Sequence, residues 1–171
     1  TSPGSATIPF LSTVPIPGQA SIGNAISLPN DATPTSRSLM VLAGAGNIMD
    51  LSGVISGGGP NLLLFLNTSV AGDGDAIIAL RGANTFTAGG IRINRGSLQI
   101  DAPSGLGNAG NRVYMDGNPT SRIIFNNDMT LANPFTLVST NNFDTIQYTV
   151  ALQGVITGTA GLNKVGSGTL S

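Results

Sequence analysis

The chain has 171 residues, a net charge of −1, only 9% charged residues, and neither Cys nor His. Zero Cys excludes disulfides, thiolate metal sites and cysteine nucleophiles, while zero His removes the commonest general base and transition-metal ligand. A net charge of −1 gives no electrostatic reason to expect nucleic acid, whose binding draws on clustered Lys and Arg.

The remaining composition favours strands. Gly occurs 24 times, all eight acids are Asp, and Lys164 is the single lysine. Strong helix formers are scarce while Gly, Asn, Thr, Ser, Val and Ile abound, a palette of turns and strands. The length suits one domain. No run reaches 18 apolar residues, so no spanning helix is expected.

The opening "TSPGSATIPF" has no basic region followed by an apolar core and does not read as a signal peptide; the expectation is prior processing or an excised segment. Six of the ten prolines lie within residues 1 to 34. Residues 1 to 38 are therefore expected to form less regular opening coils, and residues 39 to 171 the regular ones, all in a single segment. Next come short apolar runs separated by Gly, Asn, Asp or Pro. They are Leu39 to Leu42, Leu62 to Leu66, Ala76 to Leu80, Ile91 to Ile93, Leu98 to Ile100, Val113 to Met115, Ile123 to Phe125, Phe135 to Val138 and Thr145 to Leu152. Each has strand length and none has room for an ordinary helix.

Two pairs of segments repeat. "LSGVISGGGPNLL" from Leu51 matches "LQGVITGTAGLNK" from Leu152, displaced by 101 residues, and "ASIGNAISL" from Ala20 resembles "MTLANPFTL" from Met129, displaced by 109. The difference implies a longer loop near "PNDATPTSR", which stacked repeats tolerate. Matching sequence is expected to mean matching place, with Val54 and Val155 both buried.

In "GGIRINRGSLQI", Ile91 and Ile93 alternate with Arg92 and Asn94, and Gly96 resets the phase for Leu98 and Ile100. Strand, corner, strand is the implied unit, and such units wind into a solenoid whose coils stack at about 4.8 Å. Asn suits the corners because it tolerates left-handed angles and bonds neighbouring backbone. Ile91, Ile93, Leu98, Ile100, Val113, Ile124 and Phe135 are expected to point inward.

These elements resemble a family. "GDAIIALRGANTFTAGGIRINRGSLQIDAPSGLGN" from Gly74 to Asn108, flanked by "LSGVISG" and "GLNKVGSGTLS", resembles the passenger-associated transport repeat of bacterial autotransporter passenger domains. The likeness covers Leu51 to Ser171 and fades towards residue 1. It implies a right-handed parallel β-helix exported by type V secretion, at the bacterial outer cell surface or released outside the cell, and part of something longer. Family passengers include adhesins, proteases and toxins, so the stalk repeat alone does not choose among them.

No residue is nominated as catalytic, cofactor-binding or metal-binding. Asp73 and Asp75 in "AGDGDA" offer a single Gly/Asp pair, where calcium rolls repeat such a unit many times, so a solvated turn is favoured. "GAGNIM" at Gly44 to Met49 starts like a dinucleotide fingerprint, but Met49 stands where the third glycine belongs. Asp101, Asp116 and Asp128 are spaced to stack on one face, yet each sits in a turn-like context, so catalysis is not expected. "NTS" at Asn67 to Ser69 matches a glycosylation acceptor, which carries little weight if the source is bacterial, as the resemblance implies. Arg81, Arg92, Arg95, Arg112 and Arg122 lie within 42 residues. They offer a patch for an acidic glycan or lipopolysaccharide or, as favoured, keep a stack of coils soluble.

The expected function is a non-catalytic stalk or adhesin segment. The alternatives are a self-associating extracellular filament segment, with copies of the same protein as partner, and a carbohydrate-active β-helix. Contacts to host-surface or matrix glycans are assigned to loops such as Asp31 to Ser38 and Asn118 to Arg122. No nucleic acid, cofactor or membrane insertion by this segment is expected.

Overall fold

The computed structural model describes residues 8–11, 19–29, 37–43, 46–68, 76–116 and 121–171. Within them the chain passes back and forth between two long parallel sheets, and from Met129 onward also visits a third, three-stranded one. The first round consists of β1 (Ile8–Leu11), β2 (Gln19–Ile22) and β3 (Ile26–Leu28). Next come β4 (Arg37–Ala43), β5 (Ile48–Leu51), β6 (Ile55–Thr68), β7 (Ile77–Leu80), β8 (Thr87–Ile93) and β9 (Ser97–Ile100). A single 3₁₀ turn, Pro103–Leu106, precedes β10 (Val113–Met115), β11 (Arg122–Phe125) and β12 (Met129–Leu131). The last two rounds are β13 (Phe135–Leu137), β14 (Asn141–Asp144), β15 (Thr149–Leu152), then β16 (Ile156–Gly158), β17 (Leu162–Val165) and β18 (Thr169–Leu170).

The first sheet is eight-stranded, with β1, β4, β6, β8, β10, β13 and β16 in order and β3 joining at β6. The second orders β17, β14, β11, β9, β7, β5 and β2; the third orders β12, β15 and β18. Every pairing is parallel. β6 and β8 are long because each turns a corner within one strand, and their register shifts between Gly59 and Leu63.

Strand register turns alternation into columns. Leu64, Ile91, Val113 and Phe135 stack in the first sheet, and Met49, Ile78, Leu98, Ile123 and Phe143 in the second. All of these are buried and belong to one core. Phe143 meets Phe125 at 6.1 Å and Phe135 at 5.5 Å between ring centroids, tilted in both cases, a geometry that aromatic quadrupoles favour.

Six of the seven expected inward residues lie in this core; Ile124 is the exception. It is buried at 5% exposure, but it pairs with Gln99 and Asp144 on the outer side, while Ile123 and Phe125 point in. Parity explains it, since Arg122 shares the side of Ile124 and an inward Ile124 would carry the arginine into the core. The expected run Thr145 to Leu152 is likewise half turn. Strand β15 starts at Thr149, and Ile146 sits at φ 52°.

The repeats do not occupy matching places. "LSGVISG" turns from the second sheet (β5) into the start of β6 beside β3, whereas "LQGVITG" turns from the third sheet (β15) into the first (β16). Val54 and Val155 are exposed at 40% and 68%. What the copies share is the bend: a Cβ on Gly53 would lie 2.1 Å from the Asn24 carbonyl oxygen, and one on Gly154 2.0 Å from that of Asn133. The motif thus encodes a tight crossing over the round beneath, usable at any corner. The proposed longer loop at "PNDATPTSR" lies almost wholly outside the described residues.

Corner asparagines act through their side chains only. Among the described residues positive φ belongs to seven glycines and Ile146, and to no Asn. Asn111, fully buried, accepts from Ala88 N at 2.8 Å and donates to the carbonyls of Phe86 and Leu106 at 3.0 and 2.8 Å. Asn84 accepts from Ile55 N at 2.8 Å and donates to Gly105 O at 3.0 Å. Each replaces ladder bonds that a bending backbone forfeits.

Asn111→Ala is expected to cost about 1–3 kcal/mol by orphaning the Ala88 N–H and the Leu106 carbonyl, the Phe86 carbonyl keeping the Asn108 N–H, against less than about 0.5 kcal/mol for the exposed Asn108→Ala; urea midpoints compare them. Ile146→Gly is expected to raise stability by up to about 1 kcal/mol. It relieves a left-handed penalty of about 1–2 kcal/mol against a glycine entropy cost of roughly 0.5–1 kcal/mol. An unchanged or lowered midpoint contradicts this.

Candidate functional site

Alternation places polar side chains on the outsides of the two long sheets, and these faces differ. On the second sheet the outward columns are Ile48, Ile77, Ser97, Arg122, Asn142 and Asp50, Ala79, Gln99, Ile124, Asp144. Just past the end of β7, Arg81 bridges two acids from different rounds: its Nε lies 3.1 Å from Asp50 Oδ2 and its Nη1 donates to Asp101 Oδ2. Gln19 Nε2 reaches the same Asp50 oxygen at 2.9 Å, while Gln99 and Asn126 donate to Asp101 Oδ1 at 3.2 and 3.1 Å. Arg122 continues the pattern, with Nε on Ser97 Oγ at 3.1 Å and Nη1 on Asp144 Oδ2 at 3.4 Å.

Burial lowers the pKa of Arg81, but the hydrogen bond and charge of Asp101, followed by Asp50, outweigh it and leave the pKa raised. A raised arginine pKa stabilises the fold at every pH below the unfolded value and is lost only as pH passes the folded one. The guanidinium at the centre of the bridge therefore stays charged up to strongly alkaline pH.

The first sheet presents a different column: Phe65, Arg92, Tyr114, Thr136 and Thr157. Arg92 lies with its guanidinium carbon 4.7 Å from the Tyr114 ring centroid and donates to Asp116 Oδ2. The Tyr114 ring rests on Gly90, where a Cβ would come within 2.6 Å of ring carbon Cε2. Gly90 therefore makes room for the ring to lie along the sheet. Beside it, Arg112 Nη1 donates to Thr136 Oγ1 at 3.0 Å, and Thr136 and Thr157 hydroxyls lie 3.2 Å apart.

The structure disperses the three candidate acids. Asp101 sits in the Arg81 bridge, Asp116 beside Arg92, and Asp128 accepts the Thr149 N–H at 2.7 Å at the start of β15. They come from different faces and do not converge. Asp73, Asp75 and residues 118–120 lie outside the described residues, as do residues 31–36 and the first two glycine-motif positions. Among the described residues no group of three metal-ligating side chains occurs. The five clustered arginines divide: Arg81 and Arg122 on the second sheet, Arg92 and Arg112 on the first, and Arg95 exposed at the turn between β8 and β9. Sequence reasoning missed the Tyr114 platform, whose signal was Gly90, two residues before Arg92: a glycine beneath the Tyr114 ring.

Comparison with protein-family models, with curated proteins and with solved structures finds no match.

Arg81→Met leaves Asp50, only 11% exposed, and Asp101 without their shared cation. A loss of about 1.5–3 kcal/mol is expected, and adding Asp50→Asn should restore part of it. Chemical denaturation of the single and double variants checks this; additive losses contradict the bridge.

Proposed function

We propose that the chain is a segment of a right-handed parallel β-helix serving as a non-catalytic stalk or adhesin of an autotransporter-like protein, extracellular or on the bacterial outer surface. The observation that carries this reading is the stacking of parallel strands round upon round in two long sheets, joined over the last three rounds by a third, with successive strands of each sheet coming from successive rounds. That arrangement gives length and stiffness along one axis while contacts stay between neighbouring rounds. The motif order from Leu51 to Ser171 supports the family assignment. The dispersal of Asp101, Asp116 and Asp128 supports a non-catalytic role, since carbohydrate cleavage calls for two carboxyls flanking one bond.

A self-associating filament segment is the second reading. β16, β17 and β18 each pair on one side only, and Ile156 is 43% exposed. Against easy stacking stands Lys164, which pairs with Phe143 and so occupies the core-facing column of the second sheet. An inward-pointing charge is a known means of blunting a strand edge.

Small-angle scattering or electron microscopy of the 171-residue polypeptide is expected to give an elongated particle; a near-spherical one overturns the reading. Lys164→Leu is expected to promote linear end-on association by removing the charge above Phe143. A variant as monomeric as the parent at high concentration counts against the filament reading. Protease accessibility on intact cells making the parent protein tests surface display.

A further inference from the structure

The two outer faces differ in charge. On the second sheet Arg81 and Arg122 are matched by Asp50, Asp101 and Asp144. On the first, Asp116 answers Arg92, whereas Arg112 bonds to a threonine hydroxyl and meets no carboxylate among the described residues. The chain as a whole is at −1, so this sheet face carries a local positive surplus on an otherwise slightly acidic protein.

The surplus stands beside aromatic surface. Phe65, Arg92 and Tyr114 follow one another on three successive strands, about 4.8 Å apart. Phe65 and Tyr114 are half-buried, and the Tyr114 ring lies flat enough along the sheet to require glycine at position 90. Next along the column come two threonine hydroxyls. An aromatic ring laid along a flat face, hydroxyls in a row and a guanidinium with no carboxylate partner among the described residues are what a chain of sugar rings bearing carboxylates or sulfates engages. Its apolar ring faces stack on the aromatics, its hydroxyls bond the threonines, and its anions meet the arginine fork.

We propose that the outer face of the first sheet, centred on Tyr114 and Arg112, binds an anionic polysaccharide. The proposal rests on the stalk-or-adhesin reading, which it deepens by naming the partner class and by moving the contact from the loops to the sheet. A nucleic acid fits less well, because its dense phosphates call for many clustered cations, and this face offers two among its described side chains.

The test is calorimetric titration of the 171-residue chain at low salt with heparin, which is sulfated, with polygalacturonate, which is carboxylated, and with neutral dextran. Saturable binding of at least one charged polymer is expected, weakening as salt screens it, with no binding of dextran; which charged polymer binds identifies the anion. Arg112→Gln and Tyr114→Ala are each expected to weaken binding about tenfold. Tyr114→Phe keeps the ring over Gly90 and should retain most of the affinity. Arg122→Gln, on the other face, should leave it unchanged. Binding of neither charged polymer, equal binding of dextran, equal weakening by Arg122→Gln, or tighter binding of a single-stranded oligonucleotide overturns the proposal. Far-UV circular dichroism and particle dimensions are read on the same samples. Lost binding with an intact rod therefore refutes the ligand alone, whereas a parent chain that is not elongated refutes the scaffold.

Discussion

The in-register parallel pairing of each strand with the strand one round earlier is the constraint on which the rest depends. It satisfies the backbone along every flat, and it also aligns like with like: Leu64, Ile91, Val113 and Phe135 form one column because their strands cannot slide by a single residue without turning the column outward. Because each round meets only its neighbours, every part of the core is built locally, and the three sheets share one interior.

Corners are where this pairing fails, and the chain meets the failure with two chemically distinct devices. Glycines accept a carbonyl from the neighbouring round at distances that no Cβ permits, as at Gly53 and Gly154. Buried asparagines supply an amide that stands in for the missing ladder partners, with Asn111 closing three such bonds. A polar interior of this kind is specific as well as stable, because a buried amide without its partners costs more than the same amide in water.

With the interior committed to columns, chemical variety is confined to the outside. The second sheet uses it to tie rounds together through the Arg81 bridge between Asp50 and Asp101, charges from rounds far apart in sequence held by one guanidinium. The first sheet leaves Arg112 without a carboxylate partner among the described residues and lays Tyr114 over Gly90. Similar strands thus tie their rounds together differently: through paired carboxylates on the second sheet, and on the first through one such pair, Arg92 with Asp116, beside threonine hydroxyl bonds. That difference is the physical ground for proposing that the first sheet's face is the one that meets a partner.

Much of the fold was legible in the residues: scarce helix formers, short apolar runs and Gly corners lead to an all-β chain, and Ile91, Ile93, Leu98, Ile100, Val113 and Phe135 do face the core. Strands such as β14, "NNFD", escaped notice because Phe143 alone of the four is apolar, and a single inward residue makes no periodic signal. Ile124 was misplaced although the parity of Arg122 marked it. By itself the sequence determined the strand-and-corner unit, since backbone sterics and alternation act within a few residues. Which corner each unit turns, and which charges meet across rounds, only the tertiary structure decided. "LSGVISG" and "LQGVITG" bend alike yet lie at different corners, and Arg81 finds Asp50 and Asp101 at separations of 31 and 20 residues. Such meetings depend on the summed length of every intervening loop, which no local pattern encodes.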